Sequence, residues 1–293
     1  MKARKTAGER IFDIVNTILL IIIMAIMLYP CLNVLFSSMS DSTALMMHTG
    51  FLYKPVGFTM DAYREVFQNR LIATGFANTL INLFFALLLN MTLTVLGAYP
   101  LSRRSLRLRR PIMLAITFTM FFNGGLIPTY ILIRSLGMSN TRWALFVPTA
   151  ISAYNMIILR TNFEGIPDSL IESAKLDGAS EWTILLRIVL PVSMAPLAVI
   201  FLYYAVSQWN SWFPAFIYLK ERSKWPLQLV LREIVISNNL DEMLVGADTL
   251  DRAAIAESIK YATIVVATLP ILVVYPFLQK YFVKGVMIGS IKG

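Results

Sequence analysis

The sequence predicts an all-α integral membrane protein, a bundle of six transmembrane helices interrupted by a polar helical loop and folded as a single domain. Three observations carry this. Hydrophobic residues make up 57% of the 293 and charged residues only 15%, against about a quarter charged in soluble domains. Apolar runs of the length a span needs, about 20 residues, recur near 11–36, 75–99, 111–133, 143–159, 191–219 and 261–280. Finally, cysteine and histidine occur once each, as Cys31 and His48. An intrachain disulfide is thereby impossible, and a zinc site of Cys and His has no ligands.

The first run follows Lys2, Arg4, Lys5 and Arg10, as the core of a signal peptide would, but it exceeds the 7–15 apolar residues of a cleavable core. Tyr29 and Pro30 end it, with no small-residue cleavage site, so it reads as a retained helix. The second run leads into "SRRSLRLRRP", which carries Arg103, Arg104, Arg107, Arg109 and Arg110. Around the loop after the third run only Arg134 and Arg142 occur. Short loops rich in Lys and Arg stay in the cytoplasm. The N-terminal segment 1–10 and the tail 281–293 are therefore expected on the cytoplasmic side, with loops 100–110 and 160–190. Segments 37–74 and 220–260 then face outward, each long enough for short surface helices. The fourth run is short and the fifth is long and aromatic.

No span interior contains Asp, Glu, His, Lys or Arg, the costly groups that proton relays and intramembrane catalysis require. Nucleophile-elbow, zinc-protease and phosphate-loop motifs are also missing. The net charge of +9 fits cytoplasmic loops and gives no reason to expect nucleic acid. The spans instead hold amides and aromatics: Asn78, Asn82, Asn123, Tyr154, Asn155, Gln208, Trp209, Asn210 and Trp212, beside Asn90, Tyr203 and Tyr204. Such groups suit a sugar, whose hydroxyls want donors and acceptors and whose C–H face packs on a flat ring. Taken singly, each also fits an interfacial belt or a helix–helix hydrogen bond.

The polar loop reads "ESAKLDGASEWTILLRIVLP" over 172–191. Ser169 and Glu172 have capping-box spacing, which predicts a short helix running to about Asp177. Gly178 closes it in a left-handed conformation, Ser180 caps a second helix through about Val189, and Pro191 opens the fifth span. Large apolar residues interleave with charges, as on a surface that docks a partner or lies on lipid headgroups.

The spacing E-x-A-x3-G-x9-I-x-L-P, on Glu172, Ala174, Gly178, Ile188, Leu190 and Pro191, resembles the EAA loop of permease subunits in bacterial ABC importers. Ser173 stands where the family usually has Ala. The neighbouring Asp177 and Ala179 of "DGAS", with "FNGGLIPTYILIRSLGMSNTRWALFVPTA", "NMIILRTNF", "QWNSWFPAFIY", "KWPLQLVLRE" and "QKYFVKGVMIGSIKG", are similar to the carbohydrate class. Within it they resemble the branch of complex-oligosaccharide and alginate-type importers. The resemblance implies a type I permease fold in the bacterial inner membrane, with no enzymatic activity and no cofactor of its own. ATP and Mg would bind to partners. It also implies that loop 164–191 is a coupling helix seated in a groove of a cytoplasmic ATPase. There Glu172 would pair with a basic group, Ala174 would permit close approach and Gly178 would allow the bend. The implied partners are a second homologous permease, two ATP-binding cassette subunits, an extracytoplasmic solute-binding protein, membrane lipid and an oligosaccharide substrate. In some relatives the C-terminal tail also touches the ATPases. A sodium-driven carrier, with ions held by carbonyls and amides, and a permease for a non-sugar solute such as a peptide are the alternatives.

Overall fold

The computed structural model describes residues 6–237, 257–274 and 276. Among them the chain is helical, with no strand and one isolated antiparallel bridge between Ser40 and Phe58. The tail 281–293 and most of segment 238–260 lie outside the described residues. Backbone contacts divide the chain into two compact units, one of residues 1–70 and 233–268 and one of 71–232 and 269–293.

In the first unit, α1 (Ala7–Ser38) begins with a capping box. Thr6 Oγ accepts the Glu9 N–H, and the Glu9 carboxylate accepts the Thr6 N–H at 2.7 Å. None of its most apolar window is buried within the chain, so a helix hydrophobic all round is left for lipid or a partner to cover. Segment 37–74 forms two short helices, as its length suggested: α2 (Ser42–Met47) and α3 (Asp61–Gln68). Asp41 caps α2 by accepting the Ala44 N–H at 2.9 Å, and Ser38 Oγ lies 2.7 Å from the Tyr63 hydroxyl of α3. Gly57 has φ 62°, and a Cβ there would come within 2.9 Å of the Asp41 Cβ, so the turn tolerates only glycine.

The second unit is organised on α4 (Arg70–Ser102). Its buried face repeats every three or four residues through Gly75, Thr79, Asn82, Ala86, Asn90, Thr94 and Ala98. Small and neutral polar residues at that spacing let helices approach closely. A Cβ at Gly75 would lie 3.2 Å from Val230 and 3.3 Å from the Leu227 backbone. Thr79 Oγ donates to the Gly75 carbonyl and accepts the Leu227 N–H at 2.8 Å, which pins α13 (Leu227–Ser237) at its start. The main core joins Leu87, Ala98 and Tyr99 to Leu159 and Phe163 of α8 (Ala153–Glu164), and to Ile200 and Tyr204 of α11 (Met194–Trp209).

Three expected spans differ from simple continuous helices. Segment 111–133 becomes α5 (Arg109–Phe121) and α6 (Leu126–Ser135), bent by 112°. The cause is local: Gly125 takes φ 84°, and Asn123 Oδ1 accepts its N–H at 2.9 Å. Segment 143–159 is interrupted near Pro148, leaving α7 (Trp143–Phe146) and the twelve-residue α8. In segment 191–219 the helix bends by 84° at Ser193, between Glu181–Val192 and Met194–Trp209, and α12 (Phe213–Tyr218) follows separately. Among the described residues, three helices are long and apolar enough to cross a membrane: Gly8–Ser38, Arg70–Ser102 and α14 (Glu257–Val274). The two bent pairs raise this to five at most.

Candidate coupling elbow and translocation path

Residues 168–192 form two helices joined by a tight turn. The first, α9 (Asp168–Leu176), starts after Pro167 without a side-chain cap. The expected Ser169–Glu172 capping box is therefore absent, because the helix begins at Asp168 and places Ser169 inside its first turn. Its end follows the sequence expectation. Gly178 has φ 80°, its N–H bonds the Lys175 carbonyl at 3.0 Å, and the Ala179 N–H reaches back to Ala174 at 2.9 Å. This is the paired pattern of a Schellman motif. Asp177 is the residue immediately before the left-handed turn.

Ser180 then caps α10 (Glu181–Val192) by accepting the Thr183 N–H at 3.2 Å. The middle turn, Leu185–Val189, is a π-helix. Pro191 has no N–H and its ring crowds the carbonyl four residues back, so a widened turn accommodates it. Pro191 thus lies near the end of α10, and the next helix starts only at Met194.

The elbow has two faces. Ile171, Ile184, Leu185 and Val189 are buried in the main core, with Ala174, Ala179 and Leu190 packed against it. Ala174 therefore faces the chain's own core. Ile188 is half-buried, while Glu172, Asp177, Gly178 and Pro191 are exposed. Leu176, at the tip, is 90% exposed, and Leu170, Trp182 and Leu186 are exposed with it. The Glu172 carboxylate forms no hydrogen bond or ion pair among the described residues. Instead Glu181 is engaged: its Oε1 meets Lys175 Nζ at 2.6 Å and its Oε2 accepts the Tyr99 hydroxyl at 2.6 Å. Arg160 and Arg109 share Glu164 at the end of α8.

The amides and aromatics expected in a path fall into two groups. Asn78, Asn82, Asn155 and Trp209 are buried. Asn78 is a cross-link: its Nδ2 donates to the Ser223 and Trp225 carbonyls at 2.7 and 3.1 Å, and its Oδ1 accepts from Arg142 at 2.7 Å. Asn82 keeps both amide atoms buried without a partner among the described residues, beside a small void lined by Thr79, Gln208 and Ser211. Trp209 packs edge-on to Phe76. Asn123, Tyr154 and Asn210 are exposed, and Gln208 and Trp212 are half-buried.

Sequence reasoning missed a second polar hub. Asn140 adopts φ 58°, a conformation Asn tolerates better than most residues, and its N–H bonds the Tyr218 carbonyl at 2.8 Å. Its Oδ1 accepts the Lys220 N–H at 3.1 Å and its Nδ2 donates to Glu221 at 2.6 Å. The Asn140 and Lys224 donors together hold the Glu221 carboxyl below its ordinary pKa. A left-handed Asn after "SLGMS" was the available signal. Among the described residues no group of three or more His, Cys, Asp or Glu is placed to hold a metal ion.

No protein-family model matches the chain. Individual proteins do. The polygalacturonan/rhamnogalacturonan transport system permease protein YtcP of Bacillus subtilis (strain 168) is 41% identical over 293 residues, covering 97% of this chain and 99% of that protein. Protein LplC of the same strain is 40% identical over 289 residues, covering 98% and 97%. A crystal structure of a bacterial ABC transporter involved in the import of the acidic polysaccharide alginate contains a chain that superposes with a TM-score of 0.87 at 33% identity. That match covers 96% of this chain and all of the other. With 40–41% identity to permease relatives along nearly the whole chain and a matching fold, the chain is a non-enzymatic integral membrane protein and belongs to the permease subunits of ABC carbohydrate importers.

Proposed function

We propose that this chain imports an acidic, uronate-containing oligosaccharide, pairing with a second permease to enclose the path and receiving work from cytoplasmic ATPases through α9 and α10. The observation that carries the reading is the two-faced elbow. One side is buried in the same core as α4, α8 and α11, while Leu176 at its tip is 90% exposed. An exposed leucine beside a closed turn is an anchor for an apolar pocket, and the buried side gives a push on that anchor a route into the spans. The 84° bend at Ser193 sets α10 across α11, so displacement of α10 acts on α11 as a lever.

Acidic cargo is supported by two relatives, one named for polygalacturonan and rhamnogalacturonan and one described for alginate. It is also consistent with span interiors that contain no carboxylate to repel a uronate. Of the path candidates, the accessible Asn123, Tyr154 and Asn210 and the half-buried Gln208 and Trp212 are assigned to the sugar. Asn78, Asn82, Asn155 and Trp209 are assigned to holding the helices around it. Both termini and the elbow are placed in the cytoplasm. A solute-binding protein delivers sugar at the opposite face, and ATP with Mg is bound in the two ATPase subunits.

The test uses the whole complex in proteoliposomes. Leu176→Cys is expected to cross-link to an ATPase subunit, and oligouronates are expected to stimulate ATP hydrolysis and uptake more than neutral oligosaccharides. No cross-link to an ATPase, or uptake by this chain alone on a sodium gradient, would overturn the reading.

A further inference from the structure

The elbow's grip on the spans is mostly apolar. Ile171, Ile184, Leu185 and Val189 are buried against α4, α8 and α11, but such contact is non-directional and tolerates sliding. A directional tie is supplied where the Tyr99 hydroxyl donates to Glu181 Oε2 at 2.6 Å, a length typical of O–H bonds to a carboxylate. The other oxygen of the same carboxylate meets Lys175 at 2.6 Å. Lys175 lies in the last turn of α9, Glu181 in the first turn of α10 and Tyr99 near the end of α4. One carboxylate thus joins three helices across the Gly178 turn.

The α4 end of this tie is built to be stiff. Tyr99 is 8% exposed, and the Arg103 guanidinium lies 4.5 Å from its ring centroid, stacking over the face. Arg103 Nε and Nη2 have no hydrogen-bond partner among the described residues, and its positive charge also lies close enough to the Glu181 carboxylate to attract it. Ser102 Oγ bonds the Tyr99 carbonyl at 2.7 Å, securing the backbone beside Pro100. The Lys175 pair is half-exposed on both sides and adds little by itself. The hydrogen bond to the buried phenol is the firmer part.

We infer that Tyr99, acting through Glu181, is a positioning residue for ATP-driven transport: it locks the elbow to the end of α4 so that displacement of the elbow moves α4 with it. This rests on the reading of the elbow as the element that receives the ATPase. The helix so driven carries the Gly75–Ala98 stripe and the buried amides, so the tie places α4 in the stroke alongside α11.

The experiment is Tyr99→Phe in the full complex, since phenylalanine keeps the ring, its burial and the stacked guanidinium and deletes only the hydroxyl. Transport per ATP hydrolysed is expected to fall about tenfold, the loss of one charge-assisted hydrogen bond, while the complex assembles and hydrolyses ATP. Glu181→Gln keeps an acceptor for the phenol and is expected to lose less than Glu181→Ala. Unchanged transport per ATP in Tyr99→Phe, with Leu176→Cys still cross-linking to the ATPase, would overturn this inference and leave the elbow reading standing. A parallel fall of hydrolysis and transport would mark Tyr99 as merely structural and also overturn it. Failure of the cross-link in the otherwise unmodified protein would remove both.

Discussion

Three substitutions at Gly178 separate the shape of the elbow from its chemistry. The residue sits at φ 80° with nothing within 4 Å of where a Cβ would lie, so alanine meets no neighbour and bears only the backbone penalty, about 1–2 kcal/mol. Asparagine, which tolerates the left-handed region, is expected to cost less. Proline cannot reach positive φ and has no N–H for the Lys175 carbonyl. It opens the turn, losing two terminal hydrogen bonds at about 1 kcal/mol each plus the turn geometry, or about 3 kcal/mol in all. That energy stays local, because Ile171 and Ile184 are anchored in the core on either side of the turn. Insertion and melting temperature should therefore change little across the series. Substrate-stimulated ATP hydrolysis and uptake, measured on reconstituted complexes, should fall in the order Asn, Ala, Pro, with coupling lost in Gly178→Pro. Full coupling in a correctly assembled Gly178→Pro complex would refute the assignment of the turn.

Thr79→Val leaves the buried Leu227 N–H without its 2.8 Å acceptor and is expected to destabilise by about 1–3 kcal/mol, read as a lower melting temperature in detergent that Thr79→Ser restores. Gly75→Ala forces a methyl to within 3.2–3.3 Å of Val230 and the Leu227 backbone, so a cost of about 1–3 kcal/mol from overpacking is expected in the same assay. The depressed pKa of Glu221 sets the sign of a pH effect. Its contacts with Asn140 and Lys224 are fully present above the ordinary carboxylate pKa, about 4.3, and are lost as pH falls through the lower folded value. Hydrogen-exchange protection over 219–226, taken relative to the intrinsic rate at each pH, should fall on acidification below about pH 4, and Glu221→Gln should remove that fall in protection.

What could be read in the sequence was local. Gly178 and Ser180 behave as their positions in the motif require, since a left-handed glycine and a serine cap depend on a few neighbouring residues. Ser169 and Glu172 had the right spacing for a cap, but Pro167 sets the helix start two residues too early for them to use it. Apolarity marked stretches that fold as helices long and apolar enough to cross a membrane at α1 and α4, yet it carries no information on direction. Asn123-Gly124-Gly125, Pro148 and Ser193 therefore broke expected spans that hydropathy alone showed as continuous. The amides of α4 were visible as polar positions in a span. Which of them are structural was not, because Asn78 is bonded to carbonyls at Ser223 and Trp225, far along the chain, and no local pattern encodes such a pairing. The Tyr99–Glu181 contact was hidden for the same reason.

The length of α1 has a consequence for how deep its neighbours sit. Its 32 residues extend about 48 Å at 1.5 Å per residue, well over the hydrocarbon thickness of about 30 Å. The stretch between Asp13 and Asn33, about 28 Å long, is long enough to fill the oily layer once, which would leave roughly two turns of helix clear at either margin. With that placement the Ser38–Tyr63 hydrogen bond would fasten α3 to a post above the acyl chains, in the wet headgroup zone. A bilayer thickened by longer lipids would have to swallow that post or tilt it, and the small helices bound to its top would feel the change first.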